Sequence, residues 1–290
     1  MNIAILSRGE SLYSTQSLIK AGEARNHEME VLDSSLFTLS IENNSPTLSY
    51  GNEVVDDIHA IIPRIGASNT YMGSSLVRQF EVMKVFTTVT SEAILRSRNK
   101  WTSFQILAMK NIPVPRTILG NVYDAEATLK TFNNNPVIIK VLQGTHGAGV
   151  ILAETYQSAL STIETLNASK VRFVIQEYIA ESKGADIRAI VVDGLVVAAM
   201  KRQSKEGEFR SNLHLGGSSE GIKLSNEESR IAIGAAKALK LGVCGVDILQ
   251  SDRGPLILEV NSTPGLEGAE MATGIDISRN IIGYIERNKP

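Results

Sequence analysis

The chain has 290 residues, 43% of them hydrophobic and 21% charged, with a formal net charge of -2 at pH 7. Interleaved charges near neutrality exclude a surface built mainly for nucleic acid or anionic lipid, and no apolar run approaches the roughly 18 residues of a bilayer span. The length exceeds one typical domain, and the single cysteine, Cys244, excludes an internal disulfide framework and suits a reducing, cytoplasmic setting.

In chain order, Asn2-Ile3-Ala4-Ile5-Leu6 predicts a buried strand, too short for a signal peptide. A helix ending near Arg25 and a strand Met29-Glu30-Val31-Leu32 follow. Asn43 to Asn52 is polar, contains Pro46 and Gly51, and reads as a loop. Ala60-Ile61-Ile62-Pro63 predicts another buried strand, ahead of a helix that gathers Leu76, Phe80 and Met83 on one face. Strands separated by helices imply a parallel sheet over residues 1–95. A helical stretch from Ser91 places Trp101, Phe104, Leu107 and Ala108 on one stripe and stops before Ile112-Pro113-Val114-Pro115, where two prolines impose extended backbone. A short helix over 124–132, a strand 137–142, a glycine-rich loop, a strand 150–153, a helix 156–166 and a strand 172–177 make up a central unit, taken as 96–175.

From Asp186 the pattern turns to hairpins in a third unit, 176–290. Asp193-Gly194 between apolar runs marks a two-residue turn. The helix from Ser225 to Leu241 opens with a capping box, Ser225 and Glu228, and is expected to close at Gly242. Strands 245–250 and 256–260 and a helix near 276–287 complete the chain. The fold class is α/β in front and α+β behind. Cys244, inside Gly242-Val243-Cys244-Gly245-Val246, reads as a small buried side chain, and His27 and His59, flanking strands, read as surface residues.

The most informative segment is Val137-Ile138-Ile139-Lys140 with the loop Gly144-Thr145-His146-Gly147-Ala148-Gly149. A lysine in an apolar strand must find an anion or reach water, because an unpaired buried ammonium costs several kcal/mol. Closely spaced glycines let backbone N–H groups approach a polyphosphate. The bland alternative is an edge-strand lysine beside a flexible hairpin tip. A P-loop does not fit, since Val150 rather than lysine follows Gly149.

A second feature is the acidic hairpin Asp247 … Glu259-Val260-Asn261. With Ser251-Asp252-Arg253-Gly254-Pro255 as a five-residue loop and Gln250 opposite Leu256, Asp247 falls opposite Glu259, and Asn261 shares the face. Like charges opposite each other destabilise a hairpin, so a cation is expected between them, and an oxygen-only ligand set favours Mg²⁺ or Mn²⁺. The same arithmetic at Asp193-Gly194 pairs Asp186 with Lys201 and puts Arg188 on that face. Arg202 and Arg210 add to a cationic cluster suited to a transferred phosphoryl group or a substrate carboxylate.

In this order the features resemble the ATP-grasp superfamily and, within it, the RimK-type α-L-glutamate ligases, whose N-terminal parallel-sheet unit is the pre-ATP-grasp domain. The resemblance spans the chain through Ala4-Ile5-Leu6-Ser7-Arg8, Ile62-Pro63-Arg64-Ile65-Gly66, Asn99-Lys100, Gln176-Glu177-Tyr178-Ile179, Asp186-Ile187-Arg188, Phe209-Arg210-Ser211-Asn212-Leu213 and Glu259-Val260-Asn261-Ser262-Thr263-Pro264-Gly265-Leu266-Glu267-Gly268. It implies ATP held by Lys100, Lys140, Gly144, Gly147, Gly149, Glu177, Tyr178, Asp186, Arg210, Ser211 and Asn212, and Mg²⁺ or Mn²⁺, usually two ions, on Asp247, Glu259 and Asn261. Arg64, Arg188 and Arg202 are the candidates for substrate carboxylates, and Arg188, Arg202 and Arg210 for the catalytic cations. The implied reaction adds L-glutamate to the C-terminal carboxylate of a protein or peptide, such as a small-subunit ribosomal protein, through an acyl phosphate. Relatives are often homo-oligomers, and this is expected here too. A ligase for another amino acid or a carrier protein, and a non-catalytic ATP-binding module, are the alternatives. Asn99 stands where many relatives have aspartate, and His146 is bulky for its loop.

Overall fold

The computed structural model describes residues 1–120, 124–133, 135–142, 149–205, 207–211 and 216–289. Its N-terminal part runs β1 (Asn2–Leu6), α1 (Tyr13–Glu23) and β2 (Glu28–Leu32). The strands β3 (Phe37–Glu42), β4 (Ser45–Tyr50) and β5 (Glu53–Val54) then form a small antiparallel sheet, followed by β6 (Ala60–Pro63), α2 (Thr70–Val82) and β7 (Phe86–Thr87). The main sheet has the order β2-β1-β6-β7 and is parallel throughout, as the alternating pattern implied. Its inner strands β1 and β6 are apolar and buried on both faces, Ile3 to Leu6 and Ala60 to Ile62, as strands inside a parallel sheet are. The expected loop at 43–52 is instead mostly β4. Asn43 and Asn44 adopt φ 51° and 64°, the left-handed pair that closes a tight hairpin, and Pro46 pairs with Ile41 beyond the reach of β5.

The helical stretch from Ser91 divides into α3 (Ser91–Arg98) and α4 (Lys100–Met109). Asn99 breaks it with an extended backbone and caps the second helix by accepting the Thr102 N–H at 3.0 Å. Phe104 and Leu107 of the predicted stripe are buried, whereas Ala108 faces solvent. The central elements are β8 (Thr117–Gly120), α5 (Ala125–Lys130), β9 (Val137–Val141), β10 (Val150–Ala153), α6 (Tyr156–Ala168) and β11 (Phe173–Glu177), with antiparallel order β10-β9-β11-β8.

A third sheet, order β14-β13-β12-β15-β16, is built from β12 (Ala185–Val192), β13 (Leu195–Gln203), β14 (Ser218–Gly221), β15 (Val243–Ser251) and β16 (Gly254–Asn261). Its helices are α7 (Asn226–Leu239), α8 (Glu267–Thr273) and α9 (Ile277–Asn288). Ser225 and Glu228 form the expected capping box on α7. The helix ends earlier than expected, with Lys240 in the left-handed region at φ 59°. Gly242 serves close packing instead, since a Cβ there would lie 2.5 Å from the Thr88 carbonyl oxygen. Cys244 is buried, and desolvation pushes its thiol above the usual range, as befits an inert side chain.

Two separate apolar cores result. One unites the N-terminal and C-terminal sheets through residues such as Leu6, Phe80, Ile94, Ile190, Leu239, Val246 and Ile282. The other lies under the central sheet around Leu129, Phe132, Ile139, Ile163 and Phe173. The helices α1 and α9 pack together, and Arg25 and His27 both bind Glu286, His27 Nε2 at 2.9 Å. The His27 side chain is only 9% exposed, which corrects its reading as a surface residue. No described helix is long and apolar enough to cross a membrane.

Candidate active site

The chemistry-bearing residues of the third sheet share one face. Asp186 and Arg188 of β12, Arg202 of β13, Asp247 of β15 and Glu259 and Asn261 of β16 all project from it by strand alternation and register. Asp247 lies opposite Glu259 as expected, by a different route. The turn is only Asp252-Arg253, because Pro255 is tolerated on the edge strand β16, and a bulge at Leu258 restores the predicted alignment. In the Asp193-Gly194 hairpin a bulge beyond Ile190 shifts the register, so Arg202 rather than Lys201 stands opposite Asp186. Lys201 therefore projects from the other face.

Arg188 grips Asp247 in a bidentate pair, Nε–Oδ1 2.7 Å and Nη2–Oδ2 2.6 Å. Arg202 does the same to Asp186, at 2.7 and 2.5 Å, and also reaches Asp247 Oδ2 at 2.9 Å. Burial works to raise the Asp247 pKa, but the two guanidiniums outweigh it and hold the carboxyl far below the usual range. Asp186 shifts the other way, raised by burial and by the Asp247 charge against the pull of Arg202 and a Ser211 hydrogen bond. The repulsion between Asp247 and Glu259, assigned from sequence to an intervening metal ion, is thus relieved within the chain. Asp247 is neutralised by arginines, and Glu259 lies 3.7 Å from the Lys100 ammonium.

Lys140 sits on β9, an inner strand, which disposes of the edge-strand alternative. Its ammonium donates to Gln176 Oε1 at 2.6 Å, and Gln176 Nε2 in turn donates to Thr117 at 2.9 Å. Gln176, quoted only as the first residue of Gln176-Glu177-Tyr178-Ile179, was given no role from sequence, although a buried amide in Phe173-Val174-Ile175-Gln176 raises the same question as Lys140. Burial lowers the Lys140 pKa to about 8; Glu259 and Asp247 attract the charge and Lys100 repels it. The strand lysine and Lys100 at the start of α4 therefore stand within electrostatic reach of the acids of the late hairpin, Lys100 at 3.7 Å from Glu259. Nucleotide affinity is expected to fall as pH rises through about 8, where the ammonium loses its proton, and Lys140→Arg should shift that fall upward; KM for ATP against pH checks it.

Glu177, at the end of β11, accepts the Arg116 N–H at 2.6 Å and binds Arg253 in the β15–β16 turn. Its carboxylate is committed to protein, as is its N–H, which donates to the Arg116 carbonyl at 3.0 Å. The Tyr178 N–H donates to the Pro136 carbonyl at 3.3 Å. Arg210 chelates Glu208, Nε–Oε1 2.9 Å and Nη2–Oε2 2.8 Å, and this holds the Glu208 carboxyl at about 2. Gly149 has φ 78°, and its carbonyl accepts the Val141 N–H at 2.8 Å. Gly144, His146, Gly147 and Asn212 lie outside the described residues. Arg64 follows β6, and no described group pairs with its side chain.

Residues 97–285 match the RimK-like ATP-grasp domain and residues 1–94 the RimK PreATP-grasp domain. The chain belongs to the RimK ATP-grasp family. Among its RimK-family relatives, "Probable alpha-L-glutamate ligase" of Vibrio parahaemolyticus is 50% identical over 289 residues, 99% of this chain and 96% of the other. The protein of that name from a Picosynechococcus species is likewise 50% identical with the same coverage. The fold matches ATP-grasp ligase PsnB complexed with a precursor peptide and AMPPNP, TM-score 0.77 at 21% identity, covering 100% of this chain and 98% of that one. It also matches a RimK domain protein from Sphaerobacter thermophilus, TM-score 0.73 at 19% identity, covering 99% and 100%.

In this RimK-family chain no described cluster of three or more His, Cys, Asp and Glu gathers at a point. The donor set nevertheless suits a hard divalent cation. Glu259 and Asp247 are carboxylates on one face, and the Asn261 Oδ1 that accepts the Thr263 N–H at 2.9 Å retains a second lone pair.

Proposed function

We propose that this protein is an ATP-dependent ligase that joins L-glutamate to the C-terminal carboxylate of a protein or peptide, with release of ADP and phosphate. The observation that carries the reading is that both lysines stand beside the acids of the late hairpin, Lys100 3.7 Å from Glu259 and Lys140 drawn to Glu259 and Asp247, and we take the space they border as the nucleotide cleft. A free carboxylate is a poor electrophile, and ATP with Mg²⁺ or Mn²⁺ supplies the phosphoryl transfer that converts it to an acyl phosphate.

In this reading Lys100 and Lys140 hold phosphate oxygens, together with Gly144, Gly147 and Gly149. Glu177 and Tyr178 present backbone to the base, and Asp186, Arg210, Ser211 and Asn212 border the nucleotide. Asp247, Glu259 and Asn261 hold the divalent ions. Of the arginines singled out from sequence, Arg188 and Arg202 are paired with Asp247 and Asp186 and in this reading hold those acids in place, Arg210 steadies charge on the transferred group, and Arg64 is left for a substrate carboxylate. Divisions at residues 95 and 175 are part of the proposal; the separate core of the central sheet supports the second, whereas Leu107 and Ile112, beyond the first, pack into the core of the terminal sheets. A cytoplasmic, homo-oligomeric protein and a small-subunit ribosomal protein as first acceptor to try complete the proposal.

The test incubates the protein with ATP, Mg²⁺, glutamate and a peptide acceptor and weighs the products. ADP release that depends on glutamate, with acceptor mass rising by whole glutamate residues, is the expected result. Turnover with a different amino acid but not glutamate would reassign the substrate. Nucleotide binding without turnover under any pairing would reduce the protein to a binding module.

A further inference from the structure

The N-terminal sheet brings its own candidate anion site to the cleft. From β1 the chain crosses to β2 on one side and reaches β6 on the other, so the order β2-β1-β6-β7 has its topological switch between β1 and β6. Ligands of open parallel sheets settle in the crevice outside the carboxyl ends of the strands at such a point. Arg64 stands there, its N–H bonded to the Leu6 carbonyl at 3.0 Å, with Ser7-Arg8 continuing from β1 beside it.

The crevice opens toward the metal-candidate hairpin. Arg98 binds the Ile65 and Gly66 carbonyls, the latter at 3.1 Å, and Thr70 Oγ1 at 2.8 Å, while reaching Thr263 Oγ1 at 3.5 Å. Thr263 is two residues beyond Asn261. Ser14 at the start of α1 accepts the Leu266 N–H at 3.1 Å. The loop carrying Arg64 is thereby fixed against the segment that leaves β16.

Three arginines were candidates for substrate carboxylates, and the structure separates them. Arg188 and Arg202 are spent on Asp247 and Asp186. Arg64 forms no ion pair or side-chain hydrogen bond among the described residues, although protein crowds its charge closely enough to lower its pKa to about 10. A guanidinium in such surroundings favours a carboxylate, which it can bind in a two-point fork.

Which carboxylate follows from the order of the chemistry. In the first step the acceptor carboxylate takes the phosphoryl group as a mixed anhydride, with ADP leaving, and loses the two-oxygen carboxylate face that a guanidinium grips. A carboxylate of the incoming amino acid stays ionised through both steps, while its amine is the group that attacks. Resting on the ligase reading above, we infer that Arg64, at the switch point of the N-terminal sheet, binds a carboxylate of the amine-bearing substrate, while Arg188 and Arg202 act as positioning residues for the acids.

The experiment compares parent, Arg64→Gln and Arg64→Lys by steady-state ADP release, varying ATP, amino acid and acceptor in turn, with ADP affinity measured separately. For Arg64→Gln the expected result is a KM for the amino acid raised about 100-fold, with KM for ATP and for acceptor near parental. Arg64→Lys should recover part of the loss, since it restores the charge without the fork. A rise confined to the acceptor KM, or an amino-acid KM unmoved in both variants, overturns the inference. Loss of ADP binding in both variants also overturns it, by making Arg64 structural. If the parent itself shows no amino-acid-dependent ADP release, the ligase reading fails first, and the two failures remain distinct.

Discussion

Glu259→Gln is expected to lower ADP release by about 10²- to 10³-fold, the scale at which removal of one charge-stabilising group acts on a polar transition state. The side chain is 50% exposed and its one ion pair among the described residues, to Lys100, is 3.7 Å long, so the fold has little at stake in its charge. Stability should stay within about 0.5 kcal/mol of the parent. Glutamine keeps the shape but removes the ionised oxygen that a divalent cation requires. Mn²⁺ affinity, read by the paramagnetic signal of the free ion, should fall in parallel. Parental turnover together with parental Mn²⁺ affinity would show that this carboxylate holds no metal.

Asp247→Ala tests the other acid and should behave in the opposite way, unfolding the protein more readily. Its side chain is 8% exposed and satisfies two guanidiniums that would be left charged and unpaired. Breaking a buried pair in this manner costs about 3–5 kcal/mol. For a chain of this size that corresponds to a drop in Tm of about 10 °C. Replacing Arg188 and Asp247 together, by Leu and Ala, should cost less than the two single losses summed, because no orphan charge remains on that side. Additive losses would deny the coupling.

The pH dependence has a definite sign. A carboxyl held below its unfolded value contributes stability that is present above about pH 3.9 and is lost as pH falls below it. Asp247 is shifted in that direction, as are Glu208 beside Arg210 and Glu286 beside Arg25, and Asp186 in the other, so Asp247 carries the buried share of the acid sensitivity in this range. The acid limb of a denaturation profile should flatten in the Asp247→Ala protein.

Much of this was legible in the sequence, and the misses share a cause. Apolar alternation located the strands, and the Asp193-Gly194 turn and the Ser225–Glu228 cap stand where expected. Alternation carries no sign of an extra residue in one strand, so the bulges at Leu258 and between Ile190 and Val191 were invisible. One offset a misjudged turn length and left Asp247 opposite Glu259; the other exchanged Lys201 for Arg202. Asn43-Asn44 was missed because neither residue is the glycine that usually marks such a turn. The arginine pairing could not be read at all, because it depends on which of three antiparallel strands are neighbours. Lys140 was found because a charge on an apolar strand is conspicuous in one dimension; Arg98, which works through carbonyls of Ile65 and Gly66, is not.

The self-contained core beneath β8 to β11 has a mechanical corollary. Since the packing around Phe173 and Ile139 closes on itself, tilting the central lobe against the remainder would leave that core dry and expose only apolar side chains outside it, such as Ile138, Val174 and Ile179. The resistance to such tilting then lies in a few polar ties, among them Glu177 to Arg253 and the 2.8 Å bond from the Ile257 N–H to the Pro113 carbonyl. Admission to the cleft is therefore a matter of compliance at a handful of hydrogen bonds, a soft spring set between two stiff bodies.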